Sequence, residues 1–252
     1  MLKFGKGNSK LGKHIATFSL LSGWSCPFAK DCMSKAHVDK ETGKKFLRDG
    51  KDTKFRCFSA SQEVLYKNTY NARKHNFDLV KKESTENIVK LIKEGLPKKA
   101  TIIRIHVGGD FFNQKYFDAW LQVAKDIPNV LFYAYTKALP FWISRMNEIP
   151  LNFKLNASKG GKRDDLIKEH NLKEAVVVYS EKQAEELGLE IDHDDTHAYK
   201  GDVSFALLIH GSQPKGSEAS NALKELKKEG WTGYTKKGRS KEVESSNNKL
   251  GA

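Results

Sequence analysis

TIIRIHVGGD (101–110), NQKYFDAWLQVAKD (113–126) and NVLFYAYT (129–136) set the rhythm of this chain. The first is a β-branched run that ends on two glycines, the second carries apolar residues at helical spacing, and the third is apolar and aromatic. Strand, helix and strand in immediate succession form the βαβ unit of a parallel sheet. The pattern repeats downstream: LPFWISRMNE (139–148) reads as helix, LNFKLNAS (151–158) as strand and KRDDLIKEHN (162–171) as helix. EAVVVYS (174–180) is a strand, EKQAEELG (181–188) a helix, VSFALLIH (203–210) a strand and GSEASNALKELKKEG (216–230) the closing helix. Upstream, HIATFSLL (14–21) adds a strand. Helical patterning covers 60–79 and again 84–95, where Ser84 is an N-cap and Gly95 a stop.

Six strands, each followed by helix, predict an α/β fold: a (β/α)6 partial TIM-like barrel with parallel strands. A doubly wound sheet is the alternative, since strand order is not written in the sequence. The expected organisation is a basic N-terminal arm (1–13), a single (β/α)6 domain (14–234) with a cysteine-bearing loop at 22–60, and a disordered polar tail (235–252). Within the loop, KETGKKFLRDGKDTK (40–54) reads as a turn or hairpin excursion.

The chain has 252 residues, enough for one large domain, with 44 Lys and Arg against 31 Asp and Glu, a net charge of +13. The mean hydropathy is −0.60 and the pI about 9.4. Such charge favours nucleic acid, nucleotides or other anions as partners. A lysine-rich solvated surface explains it equally, because the charge is scattered. No signal-peptide h-region and no apolar run near ~20 residues is visible, which predicts a cytoplasmic protein without a membrane partner.

The chain's 3 cysteines are Cys26 and Cys32 in WSCPFAKDCMSK and Cys57 in KFRCFSASQE. An odd number does not pair off into disulfides, and three thiolates suit a metal or an iron–sulfur cluster with one open position. Three unrelated core residues, or a zinc site completed by His37, are the other readings. Every strand delivers polar or glycine residues to its carboxyl end, where parallel α/β folds build their sites. Gly108-Gly109-Asp110 lets a ligand approach the backbone, with Asp110 free to bind it or to cap the next helix. Asp110, Lys137, His106 and His210 are the candidate catalytic residues. LEIDHDDTHA (189–198) offers an alternative divalent-metal set in His193, Asp195 and His197, which with His106, Asp110 and His210 predicts a hydrolase or nuclease. A solvated acidic loop is the plainer reading. Tyr133 or Tyr135 faces the barrel interior, with parity undecided.

CP-x4-C, RCFSASQE, RIHVGGDFFNQKYFDAW, FYAYTK, NASKGG and HG-x-QP-x-GS together resemble the phage "gene product 88" family across residues 7–234. That resemblance implies viral origin, and so the cytoplasm of an infected host cell, and implies almost no biochemistry. A more distant resemblance is to radical S-adenosylmethionine enzymes, which carry a three-cysteine loop after strand one of a (β/α)6 partial barrel and a GGE-like motif after strand two. It implies that Cys26, Cys32 and Cys57 ligate a [4Fe–4S] cluster, that Gly108, Gly109 and Asp110 hold the amino end of S-adenosylmethionine, and that Asn156 and Ser158 serve its ribose or carboxylate. The reaction so implied is reductive cleavage of that cofactor to act on an anionic substrate. The family's CxxxCxxC spacing is not kept: 5 residues separate Cys26 from Cys32, and 24 more precede Cys57. Loop-closure entropy grows only logarithmically with length, so such a loop still closes. A non-catalytic nucleic-acid-binding protein is the third reading.

Overall fold

The computed structural model describes residues 1–7, 11, 15–231 and 233–234. The tail expected at 235–252, and residues 8–10 and 12–14, lie outside the described residues. Strand β1 (Ile15–Phe18) leads into a loop and the hairpin β2 (Ser34–Val38) and β3 (Lys45–Asp49), then into α1 (Phe58–Leu65), α2 (Lys67–Val80) and α3 (Thr85–Gly95). Next come β4 (Ile102–Ile105), α4 (Gln114–Asp126), β5 (Leu131–Thr136), α5 (Leu139–Ile143), β6 (Phe153–Ser158), α6 (Asp165–Glu169), β7 (Glu174–Val178) and α7 (Glu181–Glu186). The chain continues through a two-residue β8 (Glu190–Ile191), α8 (Thr196–Lys200), β9 (Phe205–Leu208) and α9 (Glu218–Lys228).

Seven strands form one sheet in the order β1-β4-β5-β6-β7-β9-β8, and every adjacent pair is parallel. From β1 to β9 the order follows the sequence without reversal, so the sheet is singly wound and the doubly wound alternative falls. The sheet ends at β1 and at β8, and no strand pairing joins these two edges among the described residues.

Single winding puts α3, α4 and α9 on one face while the short α8 covers the other, and the alternation of side chains follows. Phe18, Ile103, Ile105, Phe132, Ala134, Phe153, Leu155 and Ala157 enter the core under α3 and α4. Val176, Val178, Ala206 and Leu208 continue that layer towards α9. The opposite, inner face carries Ile15, Tyr133, Tyr135, Phe205 and Leu207, so both tyrosines point inward.

The expected helix at 60–79 is two helices, broken at Tyr66, whose φ of −117° and ψ of 107° are extended. Ser84 caps α3 as expected, accepting from Asn87 N at 3.2 Å. The described part of the N-terminal arm is held down: Leu2 is buried and Gly5 pairs with Thr17. The excursion between Cys32 and Cys57 is the antiparallel β2–β3 hairpin. Among the described residues no helix is long and apolar enough to cross a membrane.

Candidate functional site

A cavity of ≈ 410 Å³ opens at the carboxyl ends of the strands. Cys26, Cys32 and Cys57 all line it, as do His106, Gly108, Gly109, Asp110, Lys137, Ser158, Asp195 and His210. Its volume lies in the range of small-molecule sites, about 300–1,000 Å³.

Each cysteine segment is held by a different strand end. The loop around Cys26 rests on Gly108–Gly109: a Cβ at Gly109 would meet Ser25 Oγ at 2.6 Å, and one at Gly108 would meet Ser22 Oγ at 3.0 Å as well as Ser59 Oγ of the Cys57 segment at 2.1 Å. The segment before Cys32 is gripped by Gly160, whose carbonyl accepts from Lys30 N at 3.3 Å and Asp31 N at 2.9 Å. The residue before Cys57 is clamped by Gln213, whose Oε1 accepts from Arg56 N at 2.7 Å and whose Nε2 donates to Arg56 O at 3.1 Å. Gly211, at φ +81°, leaves room for Phe58. The glycines of VGGD, SKGG and HGSQ thus share one task, letting backbone lie against the cysteine-bearing chain.

Burial dominates the state of the thiols. It pushes Cys57 up to about 12, assisted by the charge of Cys32. It raises Cys26 well above its ordinary value, with added repulsion from Asp110, Cys57 and Cys32. Cys32 is raised by burial and partly relieved by the Lys137 ammonium. As free groups the three are neutral thiols and poor nucleophiles. Each nevertheless has a group that suits a thiolate: Gly23 N donates to Cys26 Sγ at 3.2 Å, Lys137 faces Cys32, and the amides of Ser59 and Ala60 face Cys57 at the start of α1.

Asp110 does not cap α4, which is capped by Asn113. Its carboxylate accepts from Thr136 Oγ1 at 2.6 Å, Phe111 N at 2.7 Å and Lys137 N at 2.8 Å, tying the end of β4 to the end of β5. Burial still raises it to about 6. Lys137 Nζ spends its protons on Ser158 O, Ser158 Oγ and Lys159 O, so it holds β5 to β6 rather than facing a substrate as a free amine. His106 is buried, lowered to about 3 by desolvation, and bonded through Nε2 to Tyr116 OH at 2.9 Å. It is a neutral imidazole at physiological pH. His210 lies on the cavity wall with its ring 4.6 Å from Phe58 and 4.9 Å from Tyr234.

Asn156 does not reach the cavity lining. It is buried and donates to Ala134 O and Ala198 O, fastening α8 to the inner face. The acidic segment is that face's cover, not a solvated loop. Asp195 is wholly buried and accepts from Arg104 at 2.6 Å, Tyr133 OH at 2.9 Å and Tyr135 OH at 3.2 Å. His197 sits between Asp192 and Glu190, which raise it despite its burial. His193 packs its ring 5.9 Å from Trp231. His37 stacks on Phe46 and does not line the cavity.

Among the described residues no three His, Cys, Asp or Glu side chains are placed to hold one metal ion. This covers the set His193, Asp195 and His197, the set His106, Asp110 and His210, and the three cysteines taken as ligands of a single ion. Sequence reasoning missed Arg104 and the buried pair Glu63–Arg73 (3.0 Å), which receives Ser22 N and fixes the cysteine loop to α1 and α2. An arginine within the apolar strand IIRI was a signal for the first; nothing in the pattern marked the second.

The fold and site define an α/β protein with a thiol-lined cavity at the carboxyl edge of a singly wound parallel sheet. The chain belongs to the Gene product 88 family, whose model matches residues 2–228. It is 31% identical over 90 residues to the Gene 88 protein of Mycobacterium phage L5 and 32% identical over 90 residues to that of Mycobacterium phage D29. Each match covers 32% of this chain and 38% of the relative. No solved structure matches the chain. The radical S-adenosylmethionine resemblance finds no support in these matches.

Proposed function

We propose that this phage protein binds a [4Fe–4S] cluster through Cys26, Cys32 and Cys57 at the mouth of a partial (β/α)6 barrel. The observation that carries the reading is the convergence of three cysteine segments, each held by a separate glycine-bearing strand end, on one cavity. Cluster ligands bind different irons, so their sulfurs stand apart around a shared space, unlike the ligands of one ion. Three half-buried thiols lining one cavity, each held protonated by desolvation and with Gly23 N donating to Cys26 Sγ, suit a cationic guest that displaces their protons.

Held by the thiolates of Cys26, Cys32 and Cys57, a cluster would supply one-electron reduction to a bound ligand. The chain's own part is to orient that ligand and keep water away. The backbone of Gly108–Gly109, Ser158 and the aromatic wall of Phe58 and Tyr135 face that space. Asp110, with three of its acceptor positions filled, has about one left for an ammonium group such as that of S-adenosylmethionine. An anionic substrate fits the basic chain, and a thiolate-held cluster fits a reducing compartment such as an infected cell's cytoplasm.

Iron and acid-labile sulfide, measured on protein purified and reconstituted without oxygen, test the proposal. About four of each per chain, lost in Cys57→Ala, is the expected result. A colourless protein that takes up no iron, or full iron retention in Cys57→Ala, would overturn it.

A further inference from the structure

The hairpin between Cys32 and Cys57 has two unlike faces. Ser34 and Ala36 are buried against the body. Lys35, His37, Phe46 and Arg48 share the other face, directly opposed across the ladder as Lys35 with Arg48 and His37 with Phe46. Trp24 extends this face: its indole N–H donates to Ala36 O at 3.1 Å, which pins the ring beside the hairpin while leaving it 45% exposed. The His37 ring lies 5.1 Å from Trp24 and is stacked 5.6 Å from Phe46. Lys35 Nζ stands 4.7 Å from the centre of the Trp24 ring, and Arg48 Cζ 5.2 Å from that of Phe46.

This arrangement is poor chemistry for a hairpin that serves only itself. Like charges directly opposed destabilise an antiparallel pair. Neither Lys35 nor Arg48 has an acidic partner among the described residues. Phe46 remains 36% exposed. Rings alternating with unpaired cations on an open face are what single-stranded nucleic acid requires, because bases of any identity stack on aromatic faces while the backbone phosphates meet the cations. A net charge of +13 adds long-range attraction.

We propose that the outer face of the β2–β3 hairpin, with Trp24, is a docking surface for single-stranded nucleic acid. The surface needs only its rings and cations, so the inference goes beyond the cluster reading and does not depend on it.

Anisotropy of a labelled short oligothymidylate, titrated with the full chain over a range of salt concentrations, tests the surface. Binding should weaken steeply with salt. Phe46→Ala should weaken it by about tenfold or more. The double variant Lys35→Gln/Arg48→Gln should lower the log–log salt slope by about 1.4, at about 0.7 per phosphate contact. Quenching of tryptophan emission on titration should disappear in Trp24→Phe. Because none of these side chains belongs to the buried core, melting followed by circular dichroism should show each variant folded, and the double variant no less stable than the parent. Cys57→Ala should retain binding, which separates this surface from the cluster. Unchanged affinity in Phe46→Ala would overturn the proposal. So would equal binding of a duplex of the same length, or of phosphatidylserine vesicles, since either would reduce the interaction to general attraction for polyanions.

Discussion

Arg104 Nη1 lies 2.6 Å from Asp195 Oδ2, an ion pair that fastens the segment 192–200 over the inner face of the sheet. The Asp195 side chain is fully enclosed, that of Arg104 12% exposed, and two tyrosine hydroxyls complete the carboxylate's shell. Removing one partner of a buried pair leaves the other uncompensated, at about 3–5 kcal/mol. Asp195→Ala should therefore lower stability by that order in urea denaturation. Asp195→Asn should cost less, since asparagine tolerates the left-handed φ of +67° and keeps an acceptor for the tyrosines. Native stability in Asp195→Ala with loss of a metal-dependent activity would return the residue to a ligand role.

His106 and Asp110 give stability opposite pH dependences. Burial depresses His106 to about 3, so as pH falls from 6.5 the unfolded chain takes up a proton that the native state refuses, and stability is lost. Burial raises Asp110 from 3.8 to about 6, so its contribution is full at low pH and is lost as pH rises through that window. The two slopes oppose each other between about pH 4 and 6, each at most about 1.4 kcal/mol per pH unit. His106→Asn, which keeps a residue tolerant of φ +64°, should gain stability relative to the parent as pH falls. Asp110→Asn should gain relative to the parent as pH rises. Urea midpoints across this range check both, and curves parallel to the parent's would refute the assignment.

Gly108 is where the cysteine loop, α1 and the end of β4 meet. A Cβ there would fall 2.1 Å from Ser59 Oγ and 3.0 Å from both Arg73 Cζ and Ser22 Oγ, atoms of one buried network. Gly108→Ala should cost about 1–3 kcal/mol through displaced neighbours, and should reduce iron uptake by shifting the loop. Gly188→Ala is the matched control: it meets no atom within 4 Å, and its φ of +65° makes it strained without touching the site. Equal iron uptake by the Gly108→Ala and Gly188→Ala proteins would detach Gly108 from the site.

The six-strand rhythm was legible because each parallel strand is an apolar run bounded by polar or glycine residues, and the glycine-bearing strand ends marked the rim for the same reason. The singly wound order was not legible, since IIRI and EAVVV are compatible with either neighbour. The inner face was harder still. Arg104, Tyr133 and Tyr135 are polar groups in apolar strands, and their partner Asp195 lies at a sequence separation of 60 or more residues. That distance made LEIDHDDTHA read as a loop or a metal site, when its carboxylate is the counter-charge of a buried arginine. Lys137 misled in the same way: a lysine at a strand end looks catalytic until its three protons are traced to carbonyls and a hydroxyl on the next strand.

Assembly of the proposed cluster should itself be linked to protons. All three thiols are raised by burial, Cys57 to about 12, so near neutral pH the free thiols are protonated. Ligation requires thiolates, and binding therefore releases about three protons per chain. Anaerobic iron and sulfide uptake should be more complete at about pH 8.5 than at about pH 6.5, and loading in weakly buffered solution should acidify the medium. The Lys137 ammonium favours the Cys32 thiolate, so Lys137→Met should shift the pH dependence of uptake upward as well as loosening Ser158. Iron loading without proton release, or with the same pH dependence in a variant lacking all three cysteines, would mean that the metal sits elsewhere on the chain.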